Sequence, residues 1–143
     1  MNNLVIANKG KAECGKSSSI KEAFNKLIAI YPYNILIEDG DIKAIITIGN
    51  VLVGIESQGD PNSRMMQSMN DFVSMGCQII VAACRTSGET CNKIIELNQV
   101  NGYDIIWATN DKTAISQQHQ DILNKKYAER VIDLIMERIN GIL

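Results

Sequence analysis

The segment Gly10-Lys11-Ala12-Glu13-Cys14-Gly15-Lys16-Ser17 decides the fold that the sequence predicts, because it matches the pattern G-x-x-x-x-G-K-S/T. An apolar run from Leu4 to Ala7 precedes it and predicts a strand. Apolar residues at helical spacing follow it from Ile20 to Ile28, and Pro32 predicts the end of that helix. The segment is therefore predicted to be a loop that joins a strand to a helix.

The glycines of this loop allow its backbone to curl, so that successive N–H groups point to one place. The positive end of the following helix dipole faces the same place, which favours a phosphate group there. Lys16 is expected to neutralise the outer phosphates of a nucleoside triphosphate, and the Ser17 hydroxyl is expected to ligate Mg²⁺. The loop thus predicts a site for a triphosphate and magnesium.

This loop is a Walker A motif, and on it the chain resembles the P-loop nucleoside triphosphatases. Lys11 stands where the partitioning-type ATPases carry a lysine that reaches the nucleotide of the opposing subunit. That family's paired glycines are replaced here by Ala12 and Glu13. The resemblance therefore implies either a homodimer around the nucleotide or, with Lys11 facing solvent, a layout like that of the small GTPases.

Three extended runs follow the first predicted helix, and the hairpin signals Asp39-Gly40 and Gly49-Asn50 separate them. They are predicted to form an antiparallel meander of Asn34 to Glu38, Ile42 to Ile48 and Val51 to Glu56.

Magnesium-dependent phosphate chemistry also needs an acidic group at the end of a strand. The segment Glu56-Ser57-Gln58-Gly59 is similar to the D-x-x-G element of the small GTPases, with Glu in place of Asp. This resemblance implies that Glu56 is the magnesium-side acid, that Gly59 senses the γ-phosphate, and that Gln58 or Asp60 orients water.

Two alternatives remain for the acidic group. Glu38 and Asp39 take its role if their strand lies beside the strand that precedes the loop. The other alternative is that Glu56 is an ordinary carboxylate at a strand end, exposed as charged residues usually are.

The rest of the chain predicts alternating helices and strands. Asp60-Pro61 predicts the start of a helix, because Asp is a common N-cap and Pro a common first residue. Met65, Met66, Met69, Phe72 and Val73 form its predicted inward face. Further on come a strand at Ile79 to Cys84, a helix near Glu89 to Asn98, a strand at Asp104 to Ala108, and a helix within Thr113 to Asn140.

The predicted fold is therefore α/β. Residues 1–143 are expected to form a single domain, a three-layer sandwich like that of the P-loop nucleoside triphosphatases. Its sheet is expected to be mainly parallel, with the antiparallel meander at one side.

Arg85 follows a predicted strand whose carboxyl end should face the ligand crevice. It is expected to contact phosphate or a partner's carboxylate. The alternative is a surface arginine beside a capping box made by Thr86 and Glu89.

Recognition of the base is predicted from Thr109-Asn110-Asp111-Lys112, which follows the last predicted strand. These residue types are similar to those of the small-GTPase N-K-x-D motif, but their order differs. This difference favours adenine over guanine. The alternative is that Asn110 or Asp111 caps the last helix.

The sequence thus predicts three groups of site residues. Lys16, Glu56 and Arg85 are expected to take part in catalysis, and Ser17 and Glu56 to hold the metal. The residues expected to contact the nucleotide are Gly10, Lys11, Ala12, Glu13, Cys14, Gly15, Lys16, Ser17, Ser18, Gly59 and Asn110.

Composition restricts the partners and the compartment. The formal net charge of −2 gives no overall basic character, so no nucleic acid and no membrane is predicted as a partner. The N-terminal apolar run is too short for a signal peptide, which predicts a cytoplasmic protein. Cys14, Cys77, Cys84 and Cys91 are then expected to be reduced thiols.

Three functions fit these features. The favoured one is binding of ATP, or less readily GTP, with slow Mg²⁺-dependent hydrolysis. The second is a nucleotide-dependent regulatory module that a protein partner reads. The third is a small-molecule kinase, for which the sequence offers no large insertion to act as a lid.

Overall fold

The computed structural model describes residues 1–11 and 15–143. The predicted nucleotide contacts Ala12, Glu13 and Cys14 lie outside the described residues. The strands are β1 (Leu4–Lys9), β2 (Tyr33–Glu38), β3 (Ile42–Ile48), β4 (Val51–Glu56), β5 (Ile79–Cys84) and β6 (Asp104–Ala108). The helices are α1 (Lys16–Ile28), α2 (Met65–Ser74), α3 (Glu89–Gln99) and α4 (Gln117–Ile139).

Six strands of the described chain form one mixed sheet in the order β2-β3-β4-β5-β1-β6. The pairings β4–β5, β5–β1 and β1–β6 are parallel. The pairings β2–β3 and β3–β4 are antiparallel, which confirms the predicted meander. As a result, the ends of β1, β4, β5 and β6 and the turn between β2 and β3 all lie at one edge of the sheet, which we call the carboxyl edge.

The helices cover both faces of this sheet, because alternate residues of each strand point to opposite sides. Leu4 and Ile6 of β1 pack into one buried cluster with apolar residues of α1 and α4. Val5 and Ala7 of β1 pack into a second cluster with residues of α2 and α3. The α/β fold with helices on two faces of a mixed sheet is therefore confirmed.

The predicted start of α2 is wrong. The helix begins at Met65, after an Arg64 N-cap, and not at Asp60-Pro61. Asn62 has a positive φ of 59°, which interrupts helical geometry, and its N–H donates to the Glu89 carboxylate at 2.7 Å. The predicted inward face is confirmed, since Met65, Met69 and Phe72 are fully buried.

The helices predicted near Glu89 to Asn98 and within Thr113 to Asn140 are confirmed, but the caps considered for them are wrong. Helix α3 begins after Gly88, whose φ is 92°, and no side chain caps it, so Thr86 and Glu89 form no capping box. Helix α4 begins after Ser116, whose hydroxyl accepts the His119 N–H, so neither Asn110 nor Asp111 is its cap.

The run from Asp104 to Ala108 is apolar without alternation, which predicts a strand buried on both faces, but β6 is not such a strand. It lies at the edge of the sheet and pairs with β1, and its residues from Asp104 to Trp107 are partly or largely exposed. Lys9 of β1 places its ammonium 4.6 Å from the centre of the Trp107 ring. None of the helices in residues 1–11 and 15–143 has both the length and the apolar character of a membrane span.

Candidate functional site at the carboxyl edge

The two described ends of the predicted phosphate loop are held to the sheet edge. Gly10 follows β1, and its N–H donates to the Cys84 carbonyl at the end of β5 at 3.0 Å. Gly15 is the N-cap of α1 and has a φ of 82°, a conformation that L side chains rarely adopt. Lys16 is buried, and its ammonium donates to the carbonyls of Gly10 at 2.6 Å and Lys11 at 3.2 Å.

A cleft of about 640 Å³ opens beside the first turn of α1. Its described lining comes from the start of α1, the β2–β3 turn, the segment after β4, the segment that leads into α4, and α4 itself. These lining residues are Gly15, Lys16, Ser17, Ser18, Asp41, Ser57, Gln58, Gly59, Asp60, Ser63, Lys112, Thr113, Ala114, Ser116, Gln117, Gln120 and Asn124. This volume is within the range of sites for small molecules and cofactors.

Asp41 is the acidic residue that meets the start of α1. Its carboxylate accepts hydrogen bonds from the hydroxyls of Ser17 at 2.6 Å and Ser57 at 2.8 Å. Burial raises the pKa of Asp41, but the hydrogen bonds from Ser17 and Ser57 and the charges of Lys21 and Arg64 outweigh it, so the pKa lies below its ordinary value. Asp41 is therefore a carboxylate at neutral pH, and it faces the cleft.

Asp41 was not predicted as the acidic residue of the site. The predicted candidates, Glu56, Glu38 and Asp39, all stand where a strand ends, whereas Asp41 comes immediately before β3. A usable signal was present, because the antiparallel meander brings the start of β3 next to the end of β4.

The turn that carries Asp41 is held by two neighbours, Arg64 and Lys21, and by hydrogen bonds between Asp39 and Asp41. The Asp39 carboxylate accepts two hydrogen bonds from Arg64, at 2.8 and 2.7 Å, and a third from the Asp41 N–H at 3.4 Å. The Asp39 N–H donates to the Asp41 carbonyl at 3.1 Å. The Lys21 ammonium of α1 donates to the Gly40 carbonyl. The turn is thus tied to both α1 and the start of α2.

Glu56, the predicted metal-side acid, is fully buried at the end of β4. Its carboxylate accepts from Arg64 at 2.8 and 3.3 Å, from the Ser68 hydroxyl at 2.5 Å, and from the Gln58 N–H at 3.1 Å. Protein donors therefore occupy both of its oxygens, and it is not among the described lining residues of the cleft. A role for Glu56 as a metal ligand stays a prediction.

Gly59, the predicted γ-phosphate sensor, does line the cleft. A Cβ atom at this position would lie 2.6 Å from the carbonyl carbon of Ala83 in β5, so only glycine fits against that strand. Gln58 also lines the cleft, and its side-chain carbonyl accepts the Arg64 N–H at 3.1 Å. The segment after β4 is therefore held closely to β5 and α2.

Arg85 lies at the carboxyl end of β5, as predicted. Its guanidinium pairs with Asp60 at 3.1 Å, and it stands beside the cleft and not among the described residues that line it. Its expected contact with phosphate stays a prediction.

Glu38 and Asp39 do not meet the condition placed on them. Strand β2 lies at the far edge of the sheet, and β3, β4 and β5 separate it from β1. Glu38 is exposed at the end of that edge strand.

Asn110 supports the end of the phosphate loop from behind. It is buried, and its side-chain amide donates to Asn124 of α4 at 2.8 Å. A Cβ atom on Gly15 would lie 2.8 Å from this amide nitrogen and 3.0 Å from the Asn124 side-chain oxygen. Gln120 donates to the same Asn124 oxygen at 2.9 Å. Asn124 and Gln120 were not predicted as site residues, because they reach Gly15 only when α4 packs beside the start of α1.

The cleft wall opposite α1's first turn is polar. It includes Lys112, which belongs to the segment predicted to recognise the base, and also Thr113, Ser116 and Gln117, which were not predicted as site residues. The Thr113 N–H donates to the Gln120 side-chain carbonyl at 3.0 Å, which ties this segment to α4.

Side chains that commonly bind metal ions are sparse among the described residues that line the cleft. Within residues 1–11 and 15–143, no three His, Cys, Asp or Glu side chains are grouped so that they could hold a metal ion. A metal in this cleft would therefore rely on few protein ligands.

Comparisons with models of known protein families, with curated proteins and with solved structures gave no match.

Proposed function

We propose that this chain binds a nucleoside triphosphate with Mg²⁺ in the cleft and hydrolyses it slowly. The observation that carries the proposal is the grouping of the Lys16 ammonium, the Ser17 hydroxyl and the Asp41 carboxylate at the start of α1. An ammonium at a helix N-terminus suits phosphate, and a hydroxyl beside a carboxylate suits a hard cation.

We further propose that the sandwich is of the P-loop type. Support comes from the arrangement around β1, whose end leads into the Gly10 to Ser17 segment and whose following helix α1 opens at Gly15. Lys16 now donates to loop carbonyls, and a bound triphosphate would accept hydrogen bonds from it in their place.

For the metal we propose Ser17 and Asp41 as protein ligands, and not Ser17 and Glu56. The oxygen atoms of these two side chains are 2.6 Å apart and both residues line the cleft. This donor set fits magnesium, which takes one or two protein oxygens and completes its shell with phosphate oxygens and water. Bound there, magnesium would neutralise phosphate charge.

The base that we propose is adenine. Guanine recognition of the small-GTPase kind uses an N-K-x-D motif whose Asp pairs with the guanine edge. Asn110 is buried behind Gly15, and Asp111 is not among the described lining residues of the cleft. The opposite wall offers hydroxyl and amide groups, which bind a base with less discrimination.

Slow turnover is proposed because the arginines near the cleft already have carboxylate partners. Arg64 binds Glu56 and Asp39, and Arg85 binds Asp60. Phosphoryl transfer is fast when an arginine stabilises the charge of the transition state, and it is slow without one.

The test is calorimetric titration with ATP and GTP, with and without Mg²⁺, while phosphate release is followed in the same samples. We expect magnesium-dependent binding of ATP and release far slower than one turnover per second. Lys16→Ala should weaken ATP binding by about 100-fold or more, because a charge-assisted contact is lost. Lys26→Ala, on the same helix but paired with Glu129, is the control and should bind normally. Equal affinities for wild type and Lys16→Ala would reject the proposal.

A further inference from the structure

We propose that Arg64 and Asp39 are positioning residues, which hold the β2–β3 turn so that Asp41 meets Ser17 in the geometry that a magnesium ion needs. This inference rests on the proposed function of the cleft. It assigns a role to an ion pair that lies outside the described lining of the cleft and contacts the backbone of Asp41.

The first step of the argument is the path of contacts from Arg64 to Asp41. One guanidinium nitrogen of Arg64 donates to both oxygens of the Asp39 carboxylate, and one of those oxygens also accepts the Asp41 N–H. Asp39 and Asp41 are further joined through the Asp39 N–H and the Asp41 carbonyl. The Asp39 side chain therefore links the guanidinium directly to the backbone of Asp41.

The second step is that the other end of Arg64 is fixed. Its Nε binds the fully buried Glu56 at 2.8 Å, and the Arg64 side chain is only 15% exposed. The Glu56 carboxylate is in turn held by Ser68 of α2. A planar guanidinium with both sides occupied has a defined orientation. Arg64 is therefore held at the junction of β4 and α2, and through Asp39 it restrains the exposed β2–β3 turn.

The third step is that the turn needs such support. Gly40 has a φ of 91° and nothing lies within 4 Å of the Cβ position, so packing does not fix this residue. Asp39 and Gly40 are exposed. Partners that hold the side chains around a metal commonly change its affinity by about 10- to 100-fold when they are removed.

The experiment measures the magnesium factor, which is the ratio of the Kd for ATP without Mg²⁺ to the Kd with Mg²⁺. We expect Asp39→Asn to reduce this factor by about tenfold, while the Kd without Mg²⁺ changes little. Asp41→Asn should remove most of the factor. Asp39→Asn should then have no further effect in the Asp41→Asn background, because it acts through Asp41.

The matched control is the pair of Arg138 and Asp104, at the start of β6. Its side chains are 12% and 51% exposed, against 15% and 52% for Arg64 and Asp39. Asp104→Asn should therefore cost similar stability but leave the magnesium factor unchanged. Arg64→Lys keeps the charge but loses the fork that reaches both carboxylates, so it should lower the factor as Asp39→Asn does.

Three outcomes would overturn the inference. The first is an unchanged magnesium factor in Asp39→Asn while Asp41→Asn lowers it. The second is an equal loss in Asp104→Asn, which would indicate general destabilisation. The third is tighter binding with and without Mg²⁺, removed by salt, which would mean that Asp39 acts only through its charge. A wild type with no magnesium factor would reject the proposed function itself, and this inference with it.

Discussion

At the carboxyl edge of the sheet, two neighbouring regions each present a carboxylate. The β2–β3 turn carries Asp41, which faces the cleft and accepts hydrogen bonds from two serine hydroxyls. The end of β4 carries Glu56, which is fully buried and accepts from an arginine, a hydroxyl and a backbone amide. Asp41 lies at the start of α1 and Glu56 at the start of α2, and the two carboxylates have different hydrogen-bond donors.

The difference lies in the donors. A buried carboxylate that is paired with an arginine is costly to separate from it, because either charge would be left without a partner away from water. Hydroxyl donors are neutral and can turn toward other acceptors or toward water. The end of β4 therefore behaves as part of the fold, and the β2–β3 turn as the part that can exchange partners with a ligand.

The region around β4 has further restraints. Lys43 of β3 pairs with Asp71 of α2, and Lys93 of α3 donates to Asn70 of α2 at 2.6 Å. The Phe72 ring lies over Gly54 of β4. Contacts with β3, β4 and α3 thus hold residues 70–72 of α2, so this helix is expected to keep its position when a nucleotide binds.

The largest expected effect is the loss of stability when Glu56 is replaced, which tests the difference between Glu56 and Asp41. Glu56→Gln puts an amide group among donors and leaves the Arg64 charge without its buried partner, so it should lower the free energy of unfolding by about 3 kcal/mol. Asp41→Asn keeps an acceptor for the serines and should cost about 1 kcal/mol or less. Urea unfolding of the two variants measures this difference. A stable Glu56→Gln protein that has lost its magnesium factor would reverse the assigned roles.

The next effect distinguishes Gly54, within β4, from Gly59, in the segment after β4. A Cβ at Gly54 would lie 2.6 Å from the Phe72 ring, and a Cβ at Gly59 would lie 2.6 Å from the Ala83 backbone. We expect each alanine substitution to cost about 1–3 kcal/mol of stability, since neither neighbour can move freely. Only Gly59→Ala should also weaken ATP binding, because Gly59 lines the cleft. Equal ATP affinities for the two variants would show that the segment after β4 takes no part in binding.

Much of the fold could be predicted because its signals are local. The bounds of β3 and β4 were predicted correctly, since the apolar β-branched runs end at a turn where Gly49 has a φ of 62°. The start of α2 was not, because the positive φ of Asn62 goes with a hydrogen bond to Glu89, 27 residues away. The strand order was also beyond reach, because it depends on how the faces of the helices pack.

The candidate site divides in the same way. Lys16 and Ser17 could be identified because they belong to one continuous motif. For Asp41 the predicted meander gave its place at the carboxyl edge, but not its contact with Ser17, which is 24 positions away. The contact of Asn110 with Asn124 needs the fold that brings α4 to the loop. Glu56 was predicted by resemblance to a sequence motif, and a motif carries no information on burial. Burial is the property that separates Glu56 from Asp41.

The smallest expected effect is the response of stability to acid, compared between Asp41 of the β2–β3 turn and Asp71 of α2, which pairs with Lys43 of β3. Burial raises the pKa of Asp41, but the hydrogen bonds from Ser17 and Ser57, together with the charges of Lys21 and Arg64, bring it below its ordinary value. The hydrogen bond from Lys43 is the main cause of the lowered pKa of Asp71 on α2. A carboxylate whose pKa is lower in the folded state stabilises the fold fully above its unfolded pKa of about 3.9. This contribution is lost as the pH falls through the folded pKa.

The stability difference between wild type and Asp41→Asn should therefore stay constant from pH 7 to about 5 and shrink below about pH 4. The same direction is expected for Asp71→Asn. Urea unfolding at a series of pH values measures both differences. Added salt then separates the regions, because it should weaken the charge pair of Lys43 and Asp71 more than the hydrogen bonds from neutral serines to Asp41. If salt reduced the Asp41 difference as strongly, charges and not hydroxyl donors would hold that carboxylate, and the contrast between the turn and the end of β4 would be one of burial alone.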